Sequence, residues 1–153
     1  MRTMTKVMTS RFGEIEYTKE DVLTVREGLL GFEGFTKFLL IEHKPDSPFR
    51  WMQSLQRPEL AFLVVDPFQF FADYDVVLTD QAAEDLELTP TTGQVVYTIV
   101  TIPRGKPDDM TVNLAGPIVI NADTREARQF VVENPAFSVK QRLVIESPVK
   151  TAA

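Results

Sequence analysis

Residues 60–75 read Leu60-Ala61-Phe62-Leu63-Val64-Val65-Asp66-Pro67-Phe68-Gln69-Phe70-Phe71-Ala72-Asp73-Tyr74-Asp75, and this stretch decides the fold class. Its opening, LAFLVV, is the longest apolar run of the chain. A continuous run of that length, closed by Asp66-Pro67, predicts a central strand covered on both faces. It is far too short to cross a bilayer. The residues that follow crowd Phe68, Phe70, Phe71 and Tyr74 among Asp66, Asp73 and Asp75. Side chains alternate faces along a strand, so these phenylalanines cannot all enter one core from regular β structure. Two readings follow. The segment folds back as a buried corner, or it presents an aromatic anchor rimmed by carboxylates, the composition of a protein-binding hot spot.

The same texture of short strands extends in both directions. Upstream, Gly13, Ile15 and Tyr17 alternate with Glu14 and Glu16, which predicts a half-exposed strand over residues 12–17. Residues 22–25 and 37–42 read as two more, separated by a turn-rich stretch carrying Gly28, Gly31 and Gly34. Phe49, Trp51 and Gln53 then alternate with Arg50 and Met52. Downstream, residues 75–78 continue the strand pattern. Asp80 is placed to cap one short helix, which Ala82, Ala83, Glu84 and Leu86 favour. Thr89 ahead of Pro90 is biased out of the α region and ends it. Strands resume over residues 95–102, 111–114, 117–120 and 129–132, with a turn at Asn121-Ala122-Asp123-Thr124. Short strands at this spacing predict a mostly β protein, a small antiparallel β-barrel-like or sandwich domain with one short helix. Residues 1–146 are expected to form a single domain and residues 147–153 a frayed tail.

Composition narrows the function. The 153 residues are 44% hydrophobic and 25% charged, ordinary values for a globular protein. There is no cysteine, so neither a disulfide nor a thiolate can serve. The N-terminal residues lack the apolar stretch of a secretory signal, and the expectation is a cytoplasmic protein. The net charge of −6 is unevenly spread. Residues 58–103 hold eight acids and no lysine or arginine, whereas the stretches on either side are each +1. Such a segment either solubilises a surface or steers a basic partner. Direct binding of nucleic acid is disfavoured, because a phosphate backbone requires clustered cations.

No reaction chemistry announces itself. The lone histidine, His43, lies between Glu42 and Lys44 ahead of Pro45 and reads as a surface residue. No nucleophile-elbow serine and no phosphate-cradling glycine loop is present. Asp73 with Asp75, or Asp108 with Asp109, could offer oxygens to a hard cation, but the spacing matches no calcium loop. No metal or cofactor is expected.

The motifs together resemble the FliW family of flagellar assembly factors. The residues that carry the resemblance are FGEIE at 12–16, GLLGFE at 28–33 and SPFRWMQS at 47–54. The longest are LAFLVVDPFQFFADY at 60–74 and MTVNLAGPIVIN at 110–121. They stand in the family's order and span roughly residues 11–143. Two places depart from the pattern. Leu30 stands where the family usually has proline, and Phe137-Ser138-Val139-Lys140 where it usually has a tyrosine and an arginine.

The resemblance implies a small β-barrel-like fold without enzymatic activity. It also implies two protein partners, flagellin and the RNA-binding translational repressor CsrA. In the family, binding relieves repression by CsrA, non-competitively rather than by mimicking RNA, and flagellin that accumulates occupies the factor and frees CsrA. The chain is expected to be monomeric when free. Candidate partner-binding residues are Asp66, Phe68, Phe70, Phe71, Asp73 and Tyr74, with Glu84, Asp85 and Glu87 as steering charges. The rival readings are a structural subunit of a larger assembly and a hydrolase with an unrecognised carboxylate site.

Overall fold

The computed structural model describes residues 4–42 and 44–144. His43 and the tail at 147–153 lie outside the described residues. In chain order the strands are β1 (Thr5–Thr9), β2 (Gly13–Tyr17), β3 (Val22–Val25), β4 (Lys37–Glu42), β5 (Phe49–Ser54) and β6 (Ala61–Val65). The helix α1 (Asp80–Asp85) precedes β7 (Gln94–Thr101), β8 (Thr111–Val112), β9 (Ile118–Asn121), β10 (Glu126–Gln129) and β11 (Gln141–Arg142). Strands β3 to β7 pair antiparallel in series. Strand β9 pairs antiparallel with both β7 and β10, and β10 closes the circle by running parallel to β3. The result is a closed barrel, with β8 and β11 continuing outward from β7 and a separate β1–β2 hairpin. Closure removes the exposed edges that an open sheet would present.

The apolar run at residues 60–65 explains how the barrel is filled. Phe62 and Val64 pack with the interior cluster, which includes Leu23, Val25, Phe38, Met52, Ile118 and Ile120. Leu63 and Val65 point the other way, into a second cluster with Tyr74, Val100, Val112, Leu114 and Leu143. Strand β6 is therefore covered on both faces, as its unbroken apolar sequence predicts. In β5, Met52 packs into the interior cluster and is fully buried. Trp51 points outward and is covered by the tip of the β1–β2 hairpin, with Phe12 edge-on at 6.2 Å and the Arg11 guanidinium 4.1 Å from its ring centre.

One glycine is dictated by space. Gly28 has φ +72°, and a Cβ there would lie 2.5 Å from the Cα of Glu33. The tight loop buries Leu29 and leaves Leu30 exposed. The Leu30 N–H donates to Gln129 Oε1 at 2.8 Å, a tie that a proline at this position could not make.

Several expectations are corrected. Strands β1 and β11 are additional, and residues 75–78 form no strand. The helix is capped by Thr79, whose hydroxyl accepts from the Ala82 N–H at 3.1 Å, rather than by Asp80. It ends before Pro90 acts. Glu87 adopts a left-handed φ of 56°, while the Glu87 and Leu88 N–H groups donate back to the Glu84 and Ala83 carbonyls. This is a Schellman stop built on a non-glycine residue. Strand β10 (Glu126–Gln129) begins three residues earlier than the strand expected over residues 129–132. Its register is set by the short turn after β9, where the Asn121 carboxamide accepts from the Asp123 and Thr124 N–H groups and Ala127 falls opposite Ile120.

Candidate partner-binding surface

The crowded aromatic segment resolves its alternation problem by turning. Asp66 accepts from the Phe68 N–H at 2.9 Å, and Pro67 opens a single helical turn over Pro67–Gln69. The Phe71 N–H then reaches the Pro67 carbonyl, and the Tyr74 N–H that of Phe71. The turn consequently separates Phe68, which stays exposed, from Phe70 and Phe71. Phe70 and Phe71 are half-buried against the second apolar cluster. Tyr74 is only 5% exposed. Its hydroxyl donates to the Leu114 carbonyl at 2.7 Å, and burial pushes its pKa up to about 12. Phe68 is 47% exposed, resting on the Tyr74 ring at 5.7 Å. Of the four aromatics, Phe68 has most surface left for another molecule.

The acids distribute differently from what sequence order suggested. Glu84, Asp85 and Glu87 are all exposed. Asp85 is already engaged, accepting from Gln81 at 2.8 Å and from Arg128 at 3.1 Å. Arg128 in turn reaches Glu27 at 3.4 Å. Asp73 and Asp75 instead border an open groove of about 470 Å³ beside Phe137 and Glu133. Its apolar walls are Val77 and Val131, which are 81% and 66% exposed. Phe137 also lines it and stacks edge-on against Tyr74 at 4.7 Å. The groove thus lies directly beside the aromatic turn, with three carboxylates and no cation among its lining residues.

Sequence reasoning selected Asp73 from this groove and missed Val77, Val131 and Glu133. The available signal was indirect: both walls were read as strands. Among the described residues, no group of three or more His, Cys, Asp or Glu could hold a metal ion, and no helix is long and apolar enough to cross a membrane.

Comparison with known proteins extends this geometry. A family model described as FliW protein matches residues 6–143. The chain belongs to the FliW family. It is 37% identical to the flagellar assembly factor FliW of Magnetococcus marinus, over 93% of this chain and 86% of that protein. It is 41% identical to the factor of the same name from Bdellovibrio bacteriovorus, over 93% and 85%. A crystal structure of the flagellar assembly factor FliW superposes with a TM-score of 0.84 at 34% identity, covering 94% of this chain and 99% of that one. The barrel with its short helix is therefore the FliW architecture.

Proposed function

We propose that this FliW-family chain is a cytoplasmic binding protein, not an enzyme, that engages flagellin and antagonises the translational repressor CsrA. The observation that carries the reading is family membership over almost the whole chain, in a family of flagellar assembly factors. Two features of the molecule support a binding role. Residues 58–103 concentrate eight acids without a cation, which would attract a partner with the basic surface that RNA binding requires. Phe68 and the groove beside it place apolar surface next to carboxylates.

The contact region proposed is residues 66–74. Phe68 and Asp73 reach the partner, with Asp66 fixing the turn and Phe70, Phe71 and Tyr74 supporting it from beneath. Glu84 steers from the helix and Glu87 from its C-terminal stop, and Asp85 does so less because Arg128 neutralises it. The mechanism is mass action, in which flagellin and CsrA compete for one monomeric chain. Residues 1–146 act as one domain throughout.

Calorimetric titration with CsrA of the same organism, repeated with flagellin already bound, tests this. Binding in the first titration that disappears in the second is the expected result. Binding that survives would place the partners on separate sites. Absence of CsrA binding by any method would refute the antagonism.

A further inference from the structure

The two walls of the acidic groove share a property that their side chains do not reveal. Residues 75–78 have strand-like sequence, Asp75-Val76-Val77-Leu78. Yet among the described residues no hydrogen bond reaches their backbone. The opposite wall continues β10 irregularly. The Phe130 and Val132 N–H groups donate to the Pro117 and Ala115 carbonyls, extending the ladder that β10 makes with β9. The intervening Val131 and the following Glu133 make no backbone bond among the described residues. In an antiparallel pair, alternate residues turn their N–H and C=O to opposite sides, so these groups face away from residues 115–117. Two unpaired backbone edges therefore border one open groove, and exposed edges of this kind are templates for strand pairing.

We propose that the groove binds an extended segment of a partner protein by strand addition, its aliphatic residues on Val77 and Val131 and its lysines or arginines on Asp73, Asp75 and Glu133. Main-chain hydrogen bonds would supply affinity and alternate side chains specificity. The carboxylates select the sign of the occupant, since a like-charged segment would be repelled. The inference rests on the binding role proposed above, which it refines to one groove and one chemistry.

The probe is a short synthetic peptide alternating lysine and valine, titrated into the full chain while the amide resonances of residues 75–78 and 131–133 are followed. Shifts confined to those residues are expected. A peptide alternating glutamate and valine, and a lysine–valine peptide N-methylated on alternate amides, should each bind at least about tenfold more weakly. Val77→Pro removes an N–H that no described residue accepts. It should weaken the first peptide by about tenfold while melting stays near wild type. If that variant does not fold, Asp73→Lys with Asp75→Lys keeps the test alive through charge alone. The proposal is overturned by no binding of the first peptide, by equal binding of all three, or by shifts on another face. Self-association of the chain that Val77→Pro abolishes would also overturn it, by assigning the groove to a second copy. Capture of the two proposed partner proteins is measured on the same variants. Undiminished capture refutes the groove alone. No capture even by wild type refutes the proposed function, while the peptide result still judges the groove.

Discussion

The apolar run of strand β4 and the stretch at residues 75–78 are both rich in strand-forming residues and have opposite fates. Phe38-Leu39-Leu40-Ile41 pairs residue by residue with Trp51-Met52-Gln53-Ser54 inside the closed barrel. Asp75-Val76-Val77-Leu78 is as rich in strand-forming residues, yet among the described residues no strand pairs with it. The difference teaches that strand propensity reports a fit to a pleated, half-buried surface rather than a backbone preference. In β4 that surface exists on both sides. At residues 75–78 a wall is present on one side and a groove on the other. One region is finished by the chain itself, and the other is left open.

The largest effect expected from breaking this contrast lies in the barrel. Phe38 is fully buried in the interior cluster. Phe38→Ala should cost about 3–5 kcal/mol, read as a fall in the denaturant midpoint at unchanged slope. A smaller cost there would mean that the interior collapses around the cavity and is less rigid than the closed ladder suggests.

Next comes Tyr74, which ties the aromatic turn to the second cluster. Tyr74→Phe leaves the Leu114 carbonyl without its donor and should cost about 1–3 kcal/mol. The pH dependence gives a second readout. The Tyr74 hydroxyl ionises near 10 when unfolded and at about 12 when folded, so the folded state holds the proton more tightly. Its contribution is complete below pH 10 and is lost as pH rises towards 12. Wild type should therefore lose stability across that window, and Tyr74→Phe should flatten the loss.

The smallest effect on stability is expected at the rim. Phe68 is half exposed, and Phe68→Ala should cost about 1 kcal/mol in the melt. Partner affinity should fall by more than that if Phe68 is an anchor. A variant that melts far below wild type would place Phe68 with the core and erase the distinction between the two regions.

The order of elements was legible where sequence and burial agree. The unbroken run at residues 60–65 announced a strand covered on both faces, and the alternation over residues 12–17 announced a half-exposed one. What escaped was decided at a distance. Strand β1 exists because residues 13–17 supply a pairing edge, and its own sequence, Thr5-Lys6-Val7-Met8-Thr9, is weakly patterned. Strand β11 has only two residues and forms because β8 offers them a ladder. Within the candidate surface, Asp73 was legible as an acid beside aromatics. Val131 and Glu133 were not, because some sixty residues of chain separate them from it.

By itself the sequence determined composition and propensity: a cysteine-free chain, an acidic middle without cations, short apolar runs suited to strands, and a Pro67 that ends one. These follow from each residue's own chemistry and its nearest neighbours. The tertiary structure alone decided which runs found partners. Barrel closure brought β10 against β3 and β9 against β7, which consumed most of the available edges. Residues 75–78 and Val131 were left facing each other across a groove, because a hydrogen-bonded ladder needs a second strand in register and none of the described residues supplies one there.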